Sequence, residues 1–220
     1  GYYLLNRSTH ELFPENENGW QVEATYRLLP DLFILANTSY ALNDFSGSRF
    51  EFSENMLETT FTLSNSMSGK AFYNQSKDEL RGELKRRTGG VNFEWQLTDQ
   101  NSLSIDVQHQ FVDRGFDNLV IEELDNTFAS LTFAASPRYS ISVVAQRSTD
   151  TAETDDSATP NIAETDPKYW MSLSGAYQLD MNHELNFFYG VRRGGLACTS
   201  GTCYEVLPFE GFELRWTARL

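Results

Sequence analysis

Apolar and polar residues alternate with a period of two along most of this chain. That spacing puts successive side chains on opposite faces of a β-strand. Residues 20–28 place Trp20, Val22, Ala24, Tyr26 and Leu28 on one face and Gln21, Glu23, Thr25 and Arg27 on the other. The rhythm recurs as Leu32, Ile34, Ala36, Thr38, Tyr40 and Leu42, then Val91, Phe93, Trp95 and Leu97, then Leu103, Ile105, Val107, His109 and Phe111. It returns as Tyr139, Ile141, Val143 and Ala145, as Tyr169, Met171, Leu173, Tyr177 and Leu179, and as Leu185, Phe187, Tyr189 and Val191. The last run is Phe212, Leu214, Trp216, Ala218 and Leu220. Weaker strands are predicted over 50–63, 69–76 and 119–133. In the first of these the apolar phase changes between Glu54 and Leu57, which predicts a β-bulge. The pattern does not assign the faces of 69–76. No amphipathic helix is expected beyond a short turn within 78–87, where Leu80 and Leu84 lie four apart around Gly82.

The connections between these runs alternate in length. Short ones fall at 29–31, 64–68, 98–101, 134–137 and 180–182, and carry turn residues such as Pro30-Asp31 and Ser136-Pro137. Long ones fall at 6–19, 43–49, 77–87, 113–118, 148–168 and 193–210. Soluble sandwiches have no reason to make every second connection long, whereas transmembrane barrels have short turns on one side and long loops on the other. The clear runs are about nine to eleven residues, which is the length of a tilted membrane-crossing strand. The expected fold is therefore an all-β, antiparallel, up-and-down transmembrane β-barrel, a single domain over 1–220 with about twelve strands. The first run, residues 1–5, is too short to span, which points to the C-terminal part of a larger barrel; a complete twelve-stranded barrel is the alternative.

Composition fits this expectation. The net charge is −14 and aromatic residues make up 14% of the chain. A mean hydropathy of −0.45 hides an apolar surface because it averages two unlike faces. The acidic balance argues against a nucleic-acid partner. The aromatic excess suits girdles at the two membrane interfaces.

The C-terminal run from Phe212 through Leu214 and Trp216 to Leu220 resembles the terminal strand of bacterial outer-membrane barrels. Members usually end in Phe, and Leu220 departs from that. The resemblance implies recognition by the barrel-assembly machinery, short turns in the periplasm, long loops outside, and outer-membrane lipids with lipopolysaccharide as surroundings. Arg192-Arg193-Gly194-Gly195 followed by Cys198 and Cys203 is similar to the last hairpin of uncharacterised outer-membrane barrels from Bacteroidetes-type bacteria. That likeness implies no activity.

Few residues offer chemistry. Four residues separate Cys198 from Cys203 in the last long connection, and outside the cytosol the two read as a local disulfide, with zinc or free thiols as alternatives. Asp150, Glu153, Asp155, Asp156, Glu164 and Asp166 crowd one connection, as a solvated loop or a divalent-ion site. Arg81, Lys85, Arg86 and Arg87 form a basic cluster that either pairs with Glu79 and Glu83 or meets lipopolysaccharide phosphates. On the polar face, Glu23, Arg27, Glu58, Glu94, Asp106, Glu184, Arg192, Glu213, Arg215 and Arg219 are expected to face a lumen and pair across strands. His109 sits on the apolar face with no serine at a useful spacing, so no catalytic residue, cofactor or metal site is expected. The expected function is a porin-like passive or selective channel. A non-transporting barrel that anchors a protein partner in a larger complex is the alternative, and an outer-membrane enzyme a remote one.

Overall fold

A computed structural model describes residues 17–45, 48–116, 119–149, 167–199 and 202–218. The chain is all-β. In order it forms β1 (Glu17–Leu29), β2 (Leu32–Phe45), β3 (Ser48–Ser64), β4 (Met67–Asp78), β5 (Glu83–Gln96), β6 (Asn101–Phe116) and β7 (Leu119–Ala135). Then follow β8 (Tyr139–Ser148), β9 (Lys168–Gln178), β10 (His183–Arg192), β11 (Gly195–Thr199), β12 (Thr202–Val206) and β13 (Phe209–Ala218). Eleven of these make one antiparallel, up-and-down sheet in which each strand lies beside its neighbour in sequence. β13 follows β10 in that sheet, and β11 with β12 forms a separate two-stranded hairpin. No helix among the described residues is long and apolar enough to cross a membrane. β1 and β13 are the two edges of the described sheet and do not pair with each other. The first five residues and Leu220 lie outside the described residues.

The sheet curls. One cavity is lined by side chains from β5 through β10, from Asn92 to Arg192. Five strand spacings of about 4.8 Å would set those two strands ~24 Å apart in a flat sheet. A shared cavity therefore requires the sheet to bend around it, and the cavity marks the concave face.

Three expected long connections are largely strand. β2 and β3 are separated only by residues 46–47, and β6 and β7 only by 117–118. Between β4 and β5 lies a single 3-10 turn, Glu79–Arg81, which the Asp78 carboxylate caps by accepting from the Arg81 N–H. Gly82 ends that turn in the left-handed conformation, φ 69°, which a side chain would oppose. The strands on that side run to 17 residues in β3 and β7, beyond the nine to eleven expected. The connections after β8 and β10 remain long.

The bulge expected between Glu54 and Leu57 is absent. β3 pairs with β4 without a break from Phe52↔Asp78 to Thr62↔Ser68, and the only irregularity falls between Thr62 and Ser64. Register also assigns the faces of β4. Phe72, Asn74 and Ser76 share the concave face, and Ala71, Tyr73 and Gln75 the convex one.

Candidate functional site

Register aligns the concave side chains in rungs that cross the sheet. One rung runs Asn92, Asp106, Ser130, Val144, Ser172 and Gly190. The next, closer to the short turns, runs Glu94, Ser104, Thr132, Ser142, Ser174, Phe188 and Glu213. Between them they bound a cavity of about 410 Å³, with Phe128, Gln146 and Trp170 on the side of the long connections. Six of the lining residues are serine or threonine, all from these two rungs. The Thr132 and Ser142 hydroxyls bond each other at 2.9 Å across β7 and β8. The Gln108 amide donates to Asp106 at 3.0 Å and fixes that carboxylate.

One register row beyond Phe128 and Gln146, towards the long connections, lies a polar ladder. Thr88, Gln110, Asn126 and Ser148 are directly paired across β5 to β8. The Gln110 amide donates to Thr88 Oγ1 at 3.0 Å and accepts from the Asn126 amide at 3.2 Å, and the Ser148 hydroxyl donates to Asn126. All four are buried. In the same register line Asn74 donates to Glu54 at 2.7 Å, and Asn37 to Glu23 at 3.3 Å.

The convex face is divided along its height. From the row Gly89, His109, Thr127 and Arg147 towards the short turns it is apolar and exposed, with Val91, Trp95, Ile105, Val107, Leu131, Ile141, Val143, Leu173, Phe212 and Leu214 in adjoining rows. The eight steps from Gly89 to Leu97 rise ~26 Å, or ~20 Å along the axis at a ~40° tilt, against the ~25 Å of a barrel's apolar band. Trp20 and Tyr40 stack towards one margin, their rings 6.4 Å apart, and Tyr139, Tyr177 and Trp216 align near the other.

Towards the long connections the two faces exchange character. Phe52, Val112 and Leu124 turn inward and are buried, while Ser53, Asn55, Lys85, Asp113 and Glu123 take the outer face. Nearer the short turns the same strands send Leu57, Ile105 and Leu131 outward and Glu58, Asp106 and Ser130 inward. The strands therefore pass from an inside-out arrangement to one with a charged outer face over a mixed inner one, where Val112 and Leu124 lie among Glu83, Gln110 and Asn126, forming a more polar collar above an apolar belt.

The Family of unknown function (DUF6029) matches residues 35–220, which take in the cavity, the ladder, the belt and the collar. The chain belongs to the DUF6029 family. No curated protein and no solved structure matches it.

In this DUF6029 chain, register puts Glu23, Arg27, Glu58, Glu94, Asp106, Glu184, Arg192, Glu213 and Arg215 on the concave face, while Arg219 lies outside the described residues. Glu213 and Arg215 pair along one strand at 2.9 Å. Glu58 instead takes Lys70 at 2.9 Å, Glu184 takes the Asn186 amide, and Arg27 donates to the Pro30 carbonyl. The Arg192 guanidinium lies over the rings of Phe188 and Phe209, at 5.5 and 5.6 Å.

The basic cluster is divided by its own strand. Arg86 takes the concave face and pairs with Glu83. Lys85 and Arg87 take the convex collar, where Arg87 is 3.9 Å from Asp113. Glu79 pairs with Lys77 at 2.7 Å rather than with the cluster. Burial pushes the Glu79 carboxyl up, but the Lys77 ammonium and the Glu51 backbone N–H outweigh it and hold its pKa below the ordinary 4.5.

A further group was not legible from spacing. His109 shares a hydrogen bond with Thr127 Oγ1 at 2.9 Å, and Asp125 lies 3.8 Å from its other ring nitrogen and 2.7 Å from Arg147. The threonine is the residue directly opposite on β7, a cross-strand partner that no motif within one strand reveals. The group reads as an ionic cluster of the collar. No cluster of metal-ligating residues occurs among the described residues. The acidic stretch from Asp150 to Asp166 lies outside them. Cys198 and Cys203 are directly opposite in the β11–β12 hairpin.

Proposed function

We propose that this chain supplies membrane-spanning strands of a bacterial outer-membrane β-barrel that works as a porin-like, selective channel. The observation that carries it is the convex apolar belt, ~20 Å tall against the ~25 Å of an outer-membrane barrel's band, around a hydroxyl-bearing concave face. Exposed apolar area of that extent is costly in water and stabilising in lipid. Short turns then lie in the periplasm and the collar outside, where its lysines and arginines meet lipopolysaccharide phosphates. The terminal strand with Phe212, Leu214 and Trp216 is read by the assembly machinery. The charges on the concave face are mixed, and a buried ladder across the interior of a closed barrel would narrow its passage, which favours selectivity over a wide pore.

The test has two stages. The full-length protein should enter the outer-membrane fraction, need detergent, and migrate as a heat-modifiable β-rich species. In planar bilayers it should then give discrete conductance steps. A protein soluble without detergent sinks the membrane reading. A heat-modifiable protein that stays electrically silent sinks the channel reading. The ladder also supports a second function, a sealed barrel that anchors a partner, and a silent protein that co-purifies with another at fixed stoichiometry is its expected result.

A further inference from the structure

The cavity has a chemistry of its own. It holds about 410 Å³, within the ~300–1,000 Å³ of small-molecule sites. Six hydroxyls line it, from Ser104, Ser130, Thr132, Ser142, Ser172 and Ser174. A hydroxyl both donates and accepts, so this shelf suits a ligand whose own groups do both. Aromatic rings face the same space from Phe128, Trp170 and Phe188. Two of these are braced by cations. Arg193 lies over Trp170 at 5.1 Å and Arg192 over Phe188 at 5.5 Å. The charged lining consists of one acid, Asp106, and one base, Arg192. A purely apolar ligand would strand the hydroxyls, and a strongly charged one would lack counter-charges.

We propose that this cavity is a saccharide site, which takes a short neutral oligosaccharide by ring stacking on Trp170 and Phe188 and by hydrogen bonds to the hydroxyl shelf. Pyranose rings present apolar C–H faces and hydroxylated edges, the two complements that these walls offer. The proposal rests on the channel reading only for the concave face being the barrel interior, and it names the class of solute.

The experiment uses the full-length protein in detergent, first shown to be heat-modifiable. A protein that fails that step overturns the barrel reading and this proposal with it. Tryptophan fluorescence is then titrated with maltohexaose, cellohexaose, mannohexaose and chitohexaose, with hexagalacturonate as the charged comparison. At least one neutral hexasaccharide should give a saturable change that is lost in Trp170→Phe, since Trp20, Trp95 and Trp216 lie on the convex face. By calorimetry the same sugar should bind Ser142→Ala/Ser172→Ala about tenfold more weakly. No saturable response to any neutral hexasaccharide, a preference for hexagalacturonate, or undiminished affinity in the double variant overturns the proposal. Since conductance is a separate measurement, a silent barrel that binds sugar sinks the channel reading alone.

Discussion

Leu131 is the sharpest place to test the membrane placement. It lies on the convex face, is 46% exposed, and sits in a row with Ile105, Val143 and Leu173. It lies four positions from Thr127 at the border with the collar and four from Ala135 at the end of β7. At ~3.3 Å per residue and a ~40° tilt, that places Leu131 ~10 Å from either margin of the belt. An arginine there cannot simply reach water, and at a bilayer midplane the substitution costs ~2–4 kcal/mol. Ala135→Arg, at the border where β7 ends, should cost only ~0–1 kcal/mol. The assay is equilibrium unfolding of each variant in lipid vesicles, followed by tryptophan fluorescence. The difference between the two variants is the informative quantity, because both add the same side chain to the same face of one strand. Were this surface exposed to water, Leu131→Arg would change stability by less than ~0.5 kcal/mol. Equal effects at both positions would refute the placement.

Three further outcomes follow from the collar and the ladder. Gln110→Leu strands the buried Thr88 hydroxyl and an Asn126 N–H, and should cost roughly 2–4 kcal/mol in the same unfolding assay. In a cycle with Asn126→Leu the two changes should be non-additive, and additivity would mean that the ladder does not act as a unit. The depressed Glu79 pKa means that its clamp on Lys77 and Glu51 stabilises fully above pH 4.5 and is lost as pH falls through the lower folded value. Wild type should therefore lose more stability than Glu79→Gln on acidification below that point, and parallel pH profiles would contradict it. Facing each other across β11 and β12, Cys198 and Cys203 should resist alkylation until reduced, and Cys198→Ser should cost about 2 kcal/mol at most because the closed loop is small.

Much of this was legible in the sequence where one face is apolar and the other polar. The runs through Ile105 and Val107 and through Ile141 and Val143 gave their strands and faces directly, and with them the belt. The connections at 43–49, 77–87 and 113–118 were misread for a physical reason. In the collar the outer face carries Lys85, Asp113 and Glu123 while the inner face mixes Val112 and Leu124 with Glu83, Gln110 and Asn126. Alternation fades there, and strand resembles loop. The phase change in β3 was real, but its cause was not an inserted residue. The faces exchange roles between Phe52 and Leu57 on an unbroken register. The cavity was half legible. Its serines lie on recognisable polar faces, yet only pairing across β6 to β10 gathers them with Trp170 and Phe188.

That exchange of faces has a consequence for assembly. Simple alternation detects a slip of one residue, which turns every side chain over, but is blind to a slip of two. Here a slip of two would carry Asp113 towards the belt on one strand, or Ile105 towards its margin. It would also pull Val112 or Leu124 out of step with the buried packing beneath the collar. The pattern thus encodes depth as well as orientation, so in the proposed membrane placement each hairpin has one vertical setting that satisfies lipid below and water above.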